Sequence, residues 1–179
     1  KLLYTEKQTF RNTFFWWLQA VISLGVIGAF TFGLSKQIIS GEPWGDNPMS
    51  DTALIITSLG TLVLLGGIQW LFTVMNLIIE IDHRNLYYSY YPFVRSKRKV
   101  AKGDIKSMEV RKYKPILEYG GWGYRISPGN GKALNIKGKW GLQLVFRNGD
   151  KLLLGTQKKE ALARAIEELK QHWNEANYG

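Results

Sequence analysis

The chain has 179 residues and carries 24 Lys and Arg against 14 Asp and Glu, a formal net charge of +10. It has no cysteine, which excludes disulfides and thiolate metal sites. With His83 and His172 as its two histidines, it also lacks the sequence spacing of a metal centre.

Two apolar runs, residues 14–34 and 52–72, contain no Lys, Arg, Asp or Glu. Each has about 21 residues, which at a helical rise of about 1.5 Å spans the roughly 30 Å hydrocarbon core of a bilayer. Two membrane spans forming a hairpin are therefore expected. The first run follows Lys7 and Arg11 as a signal peptide would, but it is too long for an h-region. It also has no small-residue cleavage site before Pro43, so it is expected to stay attached.

Positive charge sets the expected orientation. Lys1, Lys7 and Arg11 precede the first span against Glu6, whereas the loop 35–51 has Lys36 against Glu42, Asp46 and Asp51. Arg84, Arg95, Lys97, Arg98, Lys99 and Lys102 follow the second span. Both termini are expected on the cytoplasmic side and the loop on the outer side. Trp16, Trp17, Trp44 and Trp70 suit interfacial anchoring.

Small residues recur at every fourth position: Gly25, Ala29 and Gly33 on the first span, Ala53, Thr57 and Thr61 on the second. In an antiparallel hairpin these two stripes lie at matching depth and are expected to pack together, with Gly66 and Gly67 as a second contact surface. Without a charged residue in either span, proton relays, ion pathways and voltage sensors are not expected, and Gln69 alone is a poor basis for transport.

From residue 76 the pattern changes to alternation and turn signals, so the chain divides into an anchor, 1–75, and a cytoplasmic domain, 76–179. Strands are expected at 77–82, 86–91, 99–101, 105–113, 122–127, 132–137, 141–146 and 151–154. The segments Ser127-Pro128-Gly129-Asn130-Gly131 and Arg147-Asn148-Gly149-Asp150 read as hairpin turns. Thr156 is the expected N-cap of a helix over 157–174 whose Leu162, Ala165, Ile166, Leu169 and Trp173 share one face. The fold class is thus an α+β membrane protein: a two-helix hairpin, then a meandering antiparallel sheet or partly open barrel closed by one C-terminal amphipathic helix. This succession matches a pleckstrin-homology-like (PH-like) architecture; a small α+β sandwich is the structural alternative.

Specific residues add a resemblance. Tyr91-Pro92-Phe93, the basic stretch leading to Gly103-Asp104-Ile105, and the segment Tyr119-Gly120-Gly121-Trp122-Gly123-Tyr124-Arg125 stand in that order. Gly141-Leu142-Gln143-Leu144 and Leu154-Gly155-Thr156-Gln157 follow. Taken together they resemble small bacterial two-span membrane proteins with a cytoplasmic bacterial PH-like domain. The resemblance covers essentially the whole chain and implies a fold and an inner-membrane location; it implies no catalytic residues.

Catalytic constellations are not found. Gly120-Gly121-Trp122-Gly123 precedes a strand and lacks the P-loop pattern, and Gly131-Lys132 is flanked by Ile126 and Ala133 where that pattern needs Gly and Ser or Thr. No nucleophile elbow is present, and Asp82, Asp104, Glu109 and Glu118 are scattered turn or surface residues. No cofactor, metal or small-molecule substrate is expected.

Beyond Glu80, 20 Lys and Arg stand against 9 Asp and Glu, a net of about +11. The densest run is Arg95, Lys97, Arg98 and Lys99, the candidate contact for anionic headgroups. Its spread without a readable motif argues against nucleic acid. The expected function is a non-enzymatic, membrane-anchored scaffold or accessory subunit of a larger inner-membrane complex, with lipids and other membrane subunits as partners. Gly120, Gly121, Trp122, Tyr124 and Arg125 are the candidate docking residues, and an exposed strand edge offers a further docking mode. An anionic-lipid sensor is the alternative; an enzyme or transporter component is the remote one.

Overall fold

The computed structural model describes residues 2–175. It shows an α+β protein with two long apolar helices and two compact units. One unit takes the chain up to Thr9 and from Met75 onward; the other is Phe10–Val74.

The helical unit contains α1 (Phe14–Leu34), a π-helical turn (Ser35–Ile39) and α2 (Asp51–Val74). Both helices are long and apolar enough to cross a membrane. Thr13 caps α1: its Oγ1 accepts from the backbone N–H of Trp16 at 3.4 Å and donates to Phe10 O at 2.6 Å. Partly or fully covered residues recur three or four apart along both helices: Trp16, Gln19, Ser23, Val26 and Phe30 on α1 and Leu54, Ser58, Thr61, Leu65, Gln69 and Phe72 on α2, with Ala53 also partly covered. Trp16 Nε1 donates to Thr73 Oγ1 at 3.0 Å, and the Phe10 and Phe72 rings lie 5.5 Å apart.

The expected pairing of small-residue stripes is corrected on α1, while Ala53 and Thr61 of the α2 stripe are partly covered. Gly25, Ala29 and Thr57 are exposed, and a Cβ placed on Gly25, Gly66 or Gly67 would meet nothing within 4 Å. The covered positions mix large side chains such as Trp16, Phe30 and Phe72 with the small Ser23 and Ser58. Gly33 is buried, but against the connecting loop: a Cβ there would sit 2.3 Å from Trp44 Cε3. The loop is folded onto the helix ends, with Gln37 Nε2 donating to Met49 O at 2.7 Å and Asp51 Oδ1 at 2.8 Å.

The sheet-bearing unit has two sheets. The first orders its strands β1-β2-β3-β4 (Leu2–Thr9, Asn76–Asp82, Leu86–Tyr91, Val94–Val100). The second orders them β5-β8-β9-β7-β6, with β5 Ile105–Lys112, β6 Gly123–Ser127, β7 Gly131–Asn135, β8 Trp140–Phe146 and β9 Lys151–Thr156. A short helix α3 (Pro115–Tyr119) joins β5 to β6, and α4 (Lys159–Glu175) touches β1, β2, β5 and β8. Leu77, Ile79 and Ile81 of β2 and Leu162, Ile166 and Leu169 of α4 are buried on the inward face that periodicity assigns, whereas β8 and β9 are buried on both faces over residues 141–144 and 152–156. The inward face read for the C-terminal helix is thus the one observed.

Four features differ from the sequence reading. The N-terminal segment assigned to the anchor supplies β1, paired antiparallel with β2 so that Thr9 lies opposite Asn76. The strands form two sheets and no closed barrel, and β7 runs parallel to β9, so the arrangement is not a simple antiparallel meander. The strand placed at 99–101 begins at Val94, and α3 occupies a stretch read as a connection. Finally, α4 starts at Lys159, because Thr156 still belongs to β9 while its Oγ1 accepts from the backbone N–H of Lys158 at 3.0 Å.

Buried polar groups tie the first sheet to the second. Glu6 accepts from Tyr4 Oη at 2.5 Å, Thr156 Oγ1 at 2.7 Å and the backbone N–H of Gln157 at 3.0 Å. Gln8 Nε2 donates to Gly155 O at 2.7 Å, and Tyr90 Oη donates to Asn135 O at 3.2 Å. Gly155 has to be glycine here, since a Cβ would lie 2.7 Å from that of Asn135.

Candidate functional site

Two surfaces singled out by sequence, the basic run and the segment from Gly120 to Arg125, lie on described residues, and two further groups emerge only in three dimensions. The basic run is β4, an edge strand whose residues 95–99 are all exposed. A strand sends successive side chains to opposite faces, so Arg98 pairs with Tyr88 and Lys99 with Tyr87. Part of the charge is already engaged. Lys97 Nζ lies 2.6 Å from Glu80 Oε2, and Arg95 Nε donates to Pro92 O at 3.3 Å with its guanidinium 6.0 Å from the Tyr91 ring centroid. Burial raises the Tyr88 hydroxyl pKa, with the Arg98 charge opposing that rise.

The Gly120–Arg125 segment is used mostly by the fold itself. Gly120 ends α3 in the left-handed region at φ 71°, and the N–H groups of Gly120 and Gly121 return to Ile116 O and Pro115 O at 2.9 and 3.0 Å. Gly121 and Gly123 also have positive φ, so no L side chain fits this turn without strain. Trp122 Nε1 donates to Gly138 O at 3.0 Å, and Arg125 Nε donates to Trp122 O at 2.9 Å. Tyr124 packs against Phe93 with ring centroids 5.2 Å apart and lies 6.4 Å from Tyr90, joining the two sheets. What this segment leaves outward is Gly120, Arg125 and the neighbouring Ile126, the last 68% exposed.

Beside it lies a cavity of about 520 Å³ lined by Lys112, Lys114, Ile116, Leu117, Trp122 and Lys139. Ile116 and Leu117 are 65% and 79% exposed, an apolar tip among lysines that the sequence reading missed, because five residues are too few to show helical periodicity. At the base of the tip Arg111 Nη2 lies 2.7 Å from Glu118 Oε2, and this bond holds the Glu118 carboxyl below its ordinary pKa.

The scattered carboxylates serve turns. Asp82 Oδ1 accepts from the N–H groups of Arg84 and Asn85, both at 2.7 Å; burial pushes its pKa up, and these bonds outweigh that and bring it down. Asp104 Oδ2 accepts from Ala101 N at 2.9 Å.

The turn that Asp82 organises also presents His83. Its Nδ1 lies 2.9 Å from Nε2 of His172 on α4, with the rings edge to face at 4.7 Å. Separated by 89 positions, the two histidines have no spacing that a sequence could reveal; the legible signal is Glu168 and His172, one helical turn apart on α4. In comparisons with known proteins, no family model matches the chain and no curated protein matches it significantly.

Proposed function

We propose that the chain is a non-enzymatic, membrane-anchored scaffold or accessory subunit of a larger complex in the bacterial cytoplasmic membrane. Its α1/α2 hairpin would cross the bilayer, its loop 35–51 would lie on the outer side, and both termini would lie in the cytoplasm. The observation that carries the reading is the outward placement of the small residues on the two apolar helices. Gly25 and Ala29 on α1 and Gly66 and Gly67 on α2 are exposed rather than spent on the intramolecular seam. Small outward positions let a neighbouring membrane helix approach closely, where packing rather than hydrophobic transfer drives association.

The strand pairing supports a double tether. Thr9 and Asn76 are partners at one end of β1 and β2, with residues 10–13 leading into α1 and Met75 alone following α2. Both connections therefore leave the first sheet side by side, which suits a hairpin that enters and leaves one face of a bilayer. Two sheets followed by an amphipathic helix support a PH-like reading of the domain. Partner docking in the cytoplasm would use the edge strand β6 and the exposed Phe93, Arg125 and Ile126 beside Tyr124. Photocrosslinkers placed singly at Gly25 and Ile126 in the native membrane test the reading. Discrete, reproducible heavier adducts from both positions are the expected result, and lipid adducts alone would refute it.

A second reading rests on β4. Arg95, Lys97, Arg98 and Lys99 on one exposed edge would attract anionic headgroups, each basic residue near the surface gaining about 1 kcal/mol. The engagement of Lys97 by Glu80 reduces that gain, so lipid contact is placed second.

A further inference from the structure

The geometry points to a transition-metal site formed by His83, Glu168 and His172, binding a divalent ion of the zinc class. One donor atom from each of the three residues lies within 4.8 Å of the other two. Imidazole nitrogen and carboxylate oxygen are the donors that a borderline ion such as Zn²⁺ takes, and three protein ligands leave one position open.

The arrangement is held in place before any ion enters. Asp82 folds the turn that carries His83 by accepting from the next two N–H groups. Trp173 Nε1 donates to Arg84 O at 2.7 Å, and Lys102 Nζ donates to Trp173 O, so the turn and the C-terminal part of α4 are fastened on both sides of the histidine pair. Glu168 and His172 share one helix face as an i, i+4 pair. Two imidazole nitrogens on a tetrahedral ion at 2.0–2.1 Å stand roughly 3.3 Å apart. The observed 2.9 Å pair therefore has to open by only about 0.4 Å to admit the ion, and the ring whose N–H lies between the two nitrogens has to take its other tautomer so that both can ligate.

The open position has a place to face. A cavity of about 580 Å³ is lined by His83, Arg84, Asn85, Lys102 and His172 among others. Water or a small anion entering there would complete the coordination, with Arg84 favouring the anion. Bound metal would staple the β2–β3 turn to α4, adding a cross-link between the first sheet and the helix.

The test uses the full chain in detergent, purified through a tag without histidine, stripped with chelator and titrated with ZnCl₂ and, separately, CoCl₂. We expect one ion per chain by calorimetry and visible d–d bands of four- or five-coordinate cobalt. His83→Gln and His172→Gln should each weaken binding by more than about 100-fold, beyond what outer-shell changes usually cost. Glu168→Gln should weaken it by about 10-fold, and the neighbouring Glu167→Gln should leave it unchanged. Thermal unfolding of each metal-free variant establishes that it is folded; should His172→Gln unfold, His83→Gln, whose side chain sits in a turn, decides alone. Absence of stoichiometric binding, or binding that survives His83→Gln, would overturn the assignment.

Discussion

Glu6 on the first strand and Thr156 on the last are joined by a 2.7 Å hydrogen bond, although 150 residues separate them in sequence. Both are buried, and the same carboxylate also accepts from Tyr4 and from the backbone of Gln157. Glu6→Ala would strand two buried donors and one part-buried donor and should cost about 3 kcal/mol, whereas Glu6→Gln keeps an acceptor and should cost about 1 kcal/mol. Thermal unfolding followed by near-ultraviolet circular dichroism separates the two; equal, negligible effects would mean that the network does not hold β1.

Because β1 completes the first sheet, residues 76–179 alone should fold poorly: β2 would lose one of its two partners and become an open edge. Joining residue 9 to residue 76 through Asn-Gly should instead give a soluble folded domain, since Thr9 and Asn76 are already opposite each other and a two-residue type I′ turn fits antiparallel partners. Amide dispersion in an NMR spectrum reads the outcome for both polypeptides.

In that soluble form, replacing Arg95, Lys97, Arg98 and Lys99 with Gln tests the lipid reading. If β4 contacts headgroups, sedimentation with anionic vesicles should fall by at least about 10-fold and become insensitive to salt. Unchanged sedimentation would remove β4 from consideration.

Gly33→Leu should displace Trp44, because even a Cβ collides with the indole. The loop 40–50 would then be cut faster by protease, while Gly25→Leu, with open space around it, should leave the cleavage rate unchanged.

Burial pushes the Tyr113 hydroxyl from 10.0 up to about 12, and raises Tyr4 and Tyr90 as well. Between pH 10 and 12 the unfolded chain gives up the Tyr113 proton while the folded one keeps it, so the stabilisation is complete below pH 10 and is lost as pH rises towards 12. For Tyr113 this amounts to on the order of 2 kcal/mol. Tyr113→Phe should cost about 1 kcal/mol at neutral pH, through its bond from Asn135 Nδ2, and should flatten the alkaline decline of the melting temperature.

The legible parts of this fold were those where periodicity reports burial. The apolar face of α4 and the alternation of β2 are hydrophobic signals, and the structure buries them as read. Strand β1 hides because its inward residues are Tyr4, Glu6 and Gln8, polar groups whose partners lie on Thr156 and Gln157 at the far end of the chain. Strand β4 hides because residues 95–99 are exposed on both faces, so charge replaces alternation. The small-residue stripes were legible as patterns but not in direction: nothing in their spacing says which face Trp16, Phe30 and Phe72 fill. Likewise, His83 and His172 meet where α4 packs on the sheets beside the β2–β3 turn, at the bond from Trp173 Nε1 to Arg84 O.

The central claim is that the outward small-residue face of the helix pair seats a partner subunit. Its most direct test is mild-detergent purification from native membranes, comparing the wild-type chain with Gly25→Leu by native mass spectrometry. The proposal predicts a reproducible larger assembly for the wild type and its loss in the variant, with the variant still folded and membrane-bound. A wild-type chain recovered alone or with lipid only, or an assembly indifferent to Gly25→Leu, would contradict it.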